Sequence, residues 1–319
     1  MHRLCFILLF ITLQLFSSNK KTAQLLSFPE AELINVNTTR IPFKLVDHLI
    51  VIEANLLDQT GNFIIDTGSE TLILNKSHFK GRQSFHDQHE QTSGVLNIID
   101  NPLERRLQEF IIKDLVIEDT FSDVIDLSHI EKSKKIHLLG IIGHDILKDY
   151  EIFVDMHLNQ ITLSKVDSKG HRLDKTKYLE RIIDSVDFKL KKHTIILEAM
   201  VNGKKLKFGL DTAAEFNQLN KRANKTVFEQ FFPKRRLQLL DASGNQLEVL
   251  AGKLYRVKLT DSIYFGPMHT ILTDLSQMNT VFGTNLDGIF GYEFLKQQRT
   301  IINYKKEKLY FVEKPINRH

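Results

Sequence analysis

Residues 63 to 70, Phe-Ile-Ile-Asp-Thr-Gly-Ser-Glu, return 145 positions later as Phe-Gly-Leu-Asp-Thr-Ala-Ala-Glu at 208 to 215. Carried backwards without a gap, the same offset matches Phe43 to Phe188, Lys44 to Lys189, Leu45 to Leu190, His48 to His193, Ile50 to Ile195, Glu53 to Glu198 and Ala54 to Ala199. A chain that contains one unit twice is expected to fold it twice. Each copy ends an apolar strand in an Asp, so the duplication offers two carboxylates, Asp66 and Asp211, for a single site.

A second block repeats downstream. Gly140-Ile-Ile-Gly-His-Asp-Ile-Leu147 matches Gly288-Ile-Phe-Gly-Tyr-Glu-Phe-Leu295 at an offset of 148, and Asp126-Leu-Ser128 matches Asp274-Leu-Ser276 at the same offset. The second copy has therefore gained three residues between its Asp motif and its Asp-Leu-Ser block. Paired glycines let backbones approach closely, which suits a strand passing under the Asp loop. A phosphate loop is a poor fit, because no Gly-Lys-Ser/Thr follows.

The pattern between these blocks is mostly β. Leu49 to Leu57 and Thr194 to Val201 alternate; Asn202-Gly203 marks a hairpin turn before Leu206 to Leu210, and residues 58 to 61 occupy the matching turn. Further strands are expected at Phe110 to Ile117, Asp123 to Leu127, Tyr255 to Leu259 and His269 to Leu275, with a closing pair at Ile152 to Leu163 and Thr300 to Val312. One helix is expected over Lys221 to Phe232, ended by Pro233. The polar stretch from Val166 is the expected linker, giving domains at 36–165 and 180–314 joined by 166–179.

Composition narrows the function classes. With 26% charged and 42% hydrophobic residues the chain is an ordinary globular one. The net charge of +4 is dispersed in short clusters with acidic neighbours, which argues against nucleic acid as a partner. Residues 1–18 have the charged start, apolar run and polar exit of a secretory signal, so an exported protein is expected, in the periplasm, cell envelope or outside the cell; a membrane anchor is the alternative if the segment stays uncleaved. The single cysteine, Cys5, falls inside that segment, which excludes thiol chemistry from the remainder. Among thirteen histidines no His-Glu-x-x-His or comparable spacing occurs, so no metal and no cofactor is expected. His48 and His193 are read as structural strand residues, and Glu70 and Glu215 as partners in a hydrogen bond or salt bridge.

The duplicated apolar-apolar-Asp-Thr-Gly-Ser motif and the apolar-Gly blocks, spread from about Phe43 to Phe311, resemble the aspartic peptidases, in particular the retropepsin-like families with both lobes on one chain. The resemblance implies an all-β fold of two homologous acid-protease β-barrel lobes about a pseudo-two-fold axis, and an endopeptidase acting on peptide or protein substrates as a monomer. Asp66 and Asp211 would share one proton and activate a water. Thr67 and Thr212 would tie each loop to the other lobe, with Gly68, Ser69, Ala213 and Ala214 shaping the two loops. Ser69 can favour charge on Asp66 and Ala214 cannot do so for Asp211, so Asp66 is the expected anion.

Two features depart from the family. Ala213 stands where glycine is usual, at a cost on the order of 1 kcal/mol if φ there is positive, which keeps open a non-catalytic protein that binds peptides or serves as an envelope scaffold. The first 149 residues hold no tyrosine, so flap segments are sought around Ser93-Gly94 and Ser243-Gly244, with ordinary hairpin loops as the alternative.

Overall fold

The computed structural model describes residues 26–57, 59–79, 92–93, 98–99, 103–113, 115–175, 180–240 and 246–314. Strands account for 55% of it and helices for 11%, so the fold is all-β.

In the first half, seven strands run in the order Lys44–Val46, Leu49–Leu56, Gln59–Ile65, Leu138–Ile142, Leu72–Asn75, Leu115–Ile125, Leu103–Ile112. Asn55 opposite Ile111 joins the last strand back to the second, closing six of them into a barrel. Leu49–Leu56 is a nearly continuous apolar run because both of its faces are covered. Ile50, Ile52 and Ala54 enter the main core, while Leu49 and Val51 join Ile64, Ile73 and Ile141 in a second cluster.

The second half builds a ten-stranded sheet from the matching pieces. Lys204–Leu210 lies between Thr194–Val201 and Gly288–Phe290, as Gln59–Ile65 lies between Leu49–Leu56 and Leu138–Ile142. Asn202 and Gly203 both have positive φ in the turn that pairs Val201 with Lys204. The strand Gln246–Leu254 pairs with Met268–Thr273, and two residues later the chain continues as Val257–Lys258 against Thr194–Val201.

A third sheet of seven strands unites the halves, in the order Glu32–Asn35, Thr38–Pro42, Gln160–Lys165, Tyr150–Asp155, Arg299–Asn303, Lys308–Val312, Ile182–Asp187. Its centre is the antiparallel pairing of Ile152 with Ile302 and Phe153 with Ile301. Buried there, Asp155 accepts from Arg299 Nε at 2.9 Å and Nη2 at 2.6 Å. One apolar core then runs from Ile41 to Phe311 through both halves.

Glycines set how closely the Asp strands are approached. In both halves the Asp strand runs parallel to the strand that begins the Gly block: Ile64 faces Ile141, and Gly209 faces Ile289. A Cβ at Gly140 would lie 2.2 Å from Ile73 O and one at Gly288 2.5 Å from Gln218 O. At Gly143 it would lie 2.2 Å from Thr71 O, and at Gly291 2.2 Å from Ala214 O. No side chain fits at these distances.

Several sequence expectations need correcting. The helix expected over 221–232 is only a 3-10 turn, Lys225–Gln230, begun by Asn224 accepting the Thr226 amide at 3.1 Å. Phe231 already pairs with Leu254, and Phe231–Leu240 is a strand at the sheet edge. Pro233 sits at a bulge there, where its missing N–H breaks no ladder. The two repeated Asp-Leu-Ser blocks start helices instead, Ser128–Lys134 and Ser276–Phe282; Asp126 accepts the Ser128 amide at 2.9 Å and Asp274 the Ser276 amide at 3.0 Å. Phe110 to Ile117 is a hairpin, turning at Lys113 with φ of 56°. The stretches 152–163 and 300–312 are hairpins too, Asp155 and Asn303 binding the turn amides. Only Val257–Lys258 of the expected strand 255–259 forms. As far as Lys175 the expected linker is folded onto the shared sheet: Gly170 O accepts from Asn303 and Asp174 from Thr38 Oγ1.

Gly143→Ala and Gly291→Ala should each cost more than about 2 kcal/mol in urea denaturation, since the added methyl meets a carbonyl that belongs to the Asp loop. Gly203→Ala, with open space around its Cβ but φ of 72°, should cost about 1 kcal/mol.

Candidate active site

The two Asp motifs arrive at one place. Asp66 follows its strand and donates its amide to Ile142 O at 3.0 Å; Asp211 donates its own to Phe290 O at 2.9 Å. Next in each loop, the threonines cross. Thr67 N donates to Thr212 Oγ1 at 3.0 Å and Thr212 N to Thr67 Oγ1 at 3.0 Å. The hydroxyls pass onward, Thr67 Oγ1 to Leu210 O at 3.2 Å and Thr212 Oγ1 to Ile65 O at 2.7 Å. Four buried hydrogen bonds thus hold the loops back to back, and each threonine satisfies the backbone of the other half.

Both carboxyls are buried, Asp66 at 0% and Asp211 at 3% exposure. Asp66 Oδ1 accepts the amides of Gly68 at 2.8 Å and Ser69 at 3.1 Å, and Asp211 Oδ1 accepts that of Ala213 at 2.8 Å. A side-chain hydrogen bond joins Asp66 to Asp211. Burial first, and then the charge of Asp211, pushes the Asp66 carboxyl well above the ordinary range. Burial pushes Asp211 up to about 6 against the pull of its loop amides. Both carboxyls are thus pushed toward the neutral form, so the pair holds a proton to higher pH than an ordinary carboxylate would.

The remaining predicted residues fall into place around these bonds. Neither Gly68 nor Ala213 is among the residues with positive φ, so alanine at 213 carries no backbone penalty. Its methyl packs with Leu49, Ile64 and Ile141 of the first half, while Ala214 packs with Leu275 and Phe282 of the second. Ser69 O accepts the His144 amide at 2.8 Å and Ala214 O the Tyr292 amide at 2.9 Å, which ties each Asp loop to its Gly block. Ser93 lies in the short strand Thr92–Ser93, paired with Ile98–Ile99. Gly94, Ser243 and Gly244 lie outside the described residues, the last two between the arms of the hairpin Phe231–Leu240 and Gln246–Leu254.

His48 and His193 are turn residues, not strand residues, and both reach across. His48, with φ of 73°, stacks on Tyr292 at 4.2 Å and its Nδ1 lies 3.1 Å from Glu215 O. His193 faces His144 at 6.4 Å and lies 3.7 Å from Glu70 Oε2. The matched contact is kept although its partners, His144 and Tyr292, differ. Burial lowers His144 and His193 to about 4, so both are neutral at neutral pH.

Two participants carried no sequence signal. Lys134, at 0% exposure on the helix Ser128–Lys134, donates to Glu215 at 2.6 Å, and the second-copy position is Phe282, edge-on to His193. Burial still raises Glu215 to about 7 despite that lysine. Tyr304, in the turn before the last strand, is buried against His144 at 4.9 Å; burial and then the two carboxyls raise its phenol far above its usual range, so it stays neutral. Beyond Glu215, a cavity of about 580 Å³ opens between Phe216, Leu237, Ile271, Tyr292 and His48, with Lys296 on its wall.

A scan against protein-family models finds no match to this chain, and a search of curated proteins finds none either.

Lys134→Met leaves Glu215 buried without its cation and should destabilise by about 3 kcal/mol at pH 8. The loss should shrink by pH 5, where Glu215 takes up a proton. Asp211→Asn should act in the opposite direction. The raised carboxyl favours folding fully below about pH 4, and the benefit is lost as pH rises through about 6. The variant should thus gain up to about 3 kcal/mol over wild type at pH 8 and nothing at pH 3.5, read from thermal unfolding at both pH values.

Proposed function

We propose that this chain is an aspartic endopeptidase of the retropepsin-like kind, its halves forming two lobes about a pseudo-two-fold axis with the dyad Asp66 and Asp211 on that axis. The observation that carries the reading is the reciprocal bonding of Thr67 and Thr212 beneath two buried carboxyls. It costs two carboxyls taken from water, one of them charged, and structure alone gives no return for it. A catalyst needs that arrangement, because one proton shared between adjacent carboxyls supplies an acid and a base at once.

In the proposed reaction a water lies between the carboxyls and the scissile peptide. The anionic member of the pair takes a proton from the water as its oxygen attacks the carbonyl carbon, while the neutral member gives its proton to the carbonyl oxygen. The first then returns its proton to the amide nitrogen, and the second recovers one from the tetrahedral intermediate as the C–N bond breaks. Amides from Gly68, Ser69 and Ala213 hold Oδ1 of each carboxyl still. The cavity beside Phe216 and Leu237 suits a substrate side chain. Export and action as a monomer on peptides or proteins belong to the same proposal.

A peptide-binding protein without activity was suggested by Ala213. With φ not positive and its amide on Asp211, that residue no longer favours it.

The purified protein should cut an unbiased peptide mixture, and Asp66→Asn and Asp211→Asn should each lower kcat by more than about a thousandfold with folding intact. Activity should rise from acid pH as the pair loses its first proton and fall at higher pH as it loses the second, both limbs lying above the ordinary carboxylate range. Ala213→Gly should keep wild-type rates. A folded wild type that cuts nothing between about pH 4 and pH 9 would sink the proposal.

A further inference from the structure

Away from the dyad, three side chains from separate segments converge in the first half: His78 after the strand Leu72–Asn75, Glu131 on the helix Ser128–Lys134, and His137 just before the strand Leu138–Ile142. His78 Nε2 lies 2.9 Å from Glu131 Oε1, His137 Nδ1 lies 3.5 Å from the same oxygen, and the imidazoles meet edge to face at 4.4 Å.

The second copy is an internal control. In the first, Asn75 Nδ2 donates to Leu138 O and Glu131 Oε1 accepts the Leu138 amide. In the second, Asn220 donates to Leu286 O and Asn279 accepts the Leu286 amide. The backbone task of Glu131 is thus done by a neutral asparagine, and the positions matching His78 and His137 are Ala223 and Asn285. Two imidazoles and a carboxylate in place of alanine and two asparagines are what the fold itself does not need.

We propose that His78, Glu131 and His137 bind one divalent transition metal of the zinc class, with three protein ligands and a fourth position for water. Bonds of about 2.0–2.2 Å at tetrahedral angles set ligand atoms about 3.4 Å apart. The two carboxylate contacts are already at 2.9 and 3.5 Å, and all three ligand atoms fall within 4.8 Å of one another. Imidazole with carboxylate suits zinc, cobalt or nickel over calcium or magnesium. The ligands are also oriented from behind: Asn75 Nδ2 donates to Glu131 Oε2 at 3.2 Å, Asn62 holds the His137 carbonyl from two donors, and Gln59 holds that of His78. Bound there, the metal clamps the helix that delivers Lys134 to Glu215, and so braces the Asp211 loop from the other half.

The test uses the full chain, stripped with a chelator and titrated with zinc against a competing indicator, and with cobalt followed by visible absorption. One equivalent should bind, cobalt should give the intense bands of a four-coordinate site, and zinc should raise the melting temperature. His78→Gln and His137→Gln should each weaken zinc binding by at least about a hundredfold, whereas His157→Gln should not. His137 is half exposed, so its variant should fold, which circular dichroism without metal checks. No saturable binding by the wild type, or unchanged affinity in both ligand variants, overturns the proposal.

Discussion

Two carboxyl groups buried against each other are an arrangement that water would dissolve, and the fold around them is organised to prevent it. The desolvation that lifts both Asp66 and Asp211 is offset by loop amides, and the loops are fixed by threonines whose bonds reach into the opposite half. Each half therefore completes the other's backbone. The glycines beneath follow from the same need, since Gly143 and Gly291 bring a strand end within van der Waals contact of the Asp loops, where a methyl would clash.

Matched strands around the two Asp motifs pair alike, while the chemistry around them differs. The loop carrying Asp211 is supported by an alanine seated in the first half's apolar cluster and by a glutamate held on a lysine; the loop carrying Asp66 has glycine, serine and a glutamate facing a neutral histidine. The two carboxyls therefore sit in unequal surroundings, whereas a pair of identical loops would share a proton evenly.

Much of this was legible in the sequence because a duplication exposes which residues a fold reuses. The Asp strands, the hairpin turn at Asn202-Gly203 and the close-approach role of the Gly blocks could all be read from matched positions. What escaped was decided by tertiary partners. The apolar face at Val227 to Phe232 has helical spacing, yet pairing with Leu254 draws Phe231 into a sheet edge, a non-local gain that local periodicity does not register. Asp-Leu-Ser, visible twice, was a helix start whose Asx turn went unread. Lys134, Tyr304 and the group of His78, Glu131 and His137 matter only through neighbours distant in the chain, so spacing offered no handle on them.

The ion pair between Lys134 and Glu215 also makes association of the halves directional. Two first halves set against each other through Thr67 would offer each Glu70 a Lys134. Two second halves would confront each Glu215 with Phe282 and strand a carboxylate in a dry seam. Like-with-like assembly is thus open to one half and closed to the other. Buried charge acts here as a one-sided mating rule written into the interface, excluding the pairing of two second halves while leaving that of two first halves open.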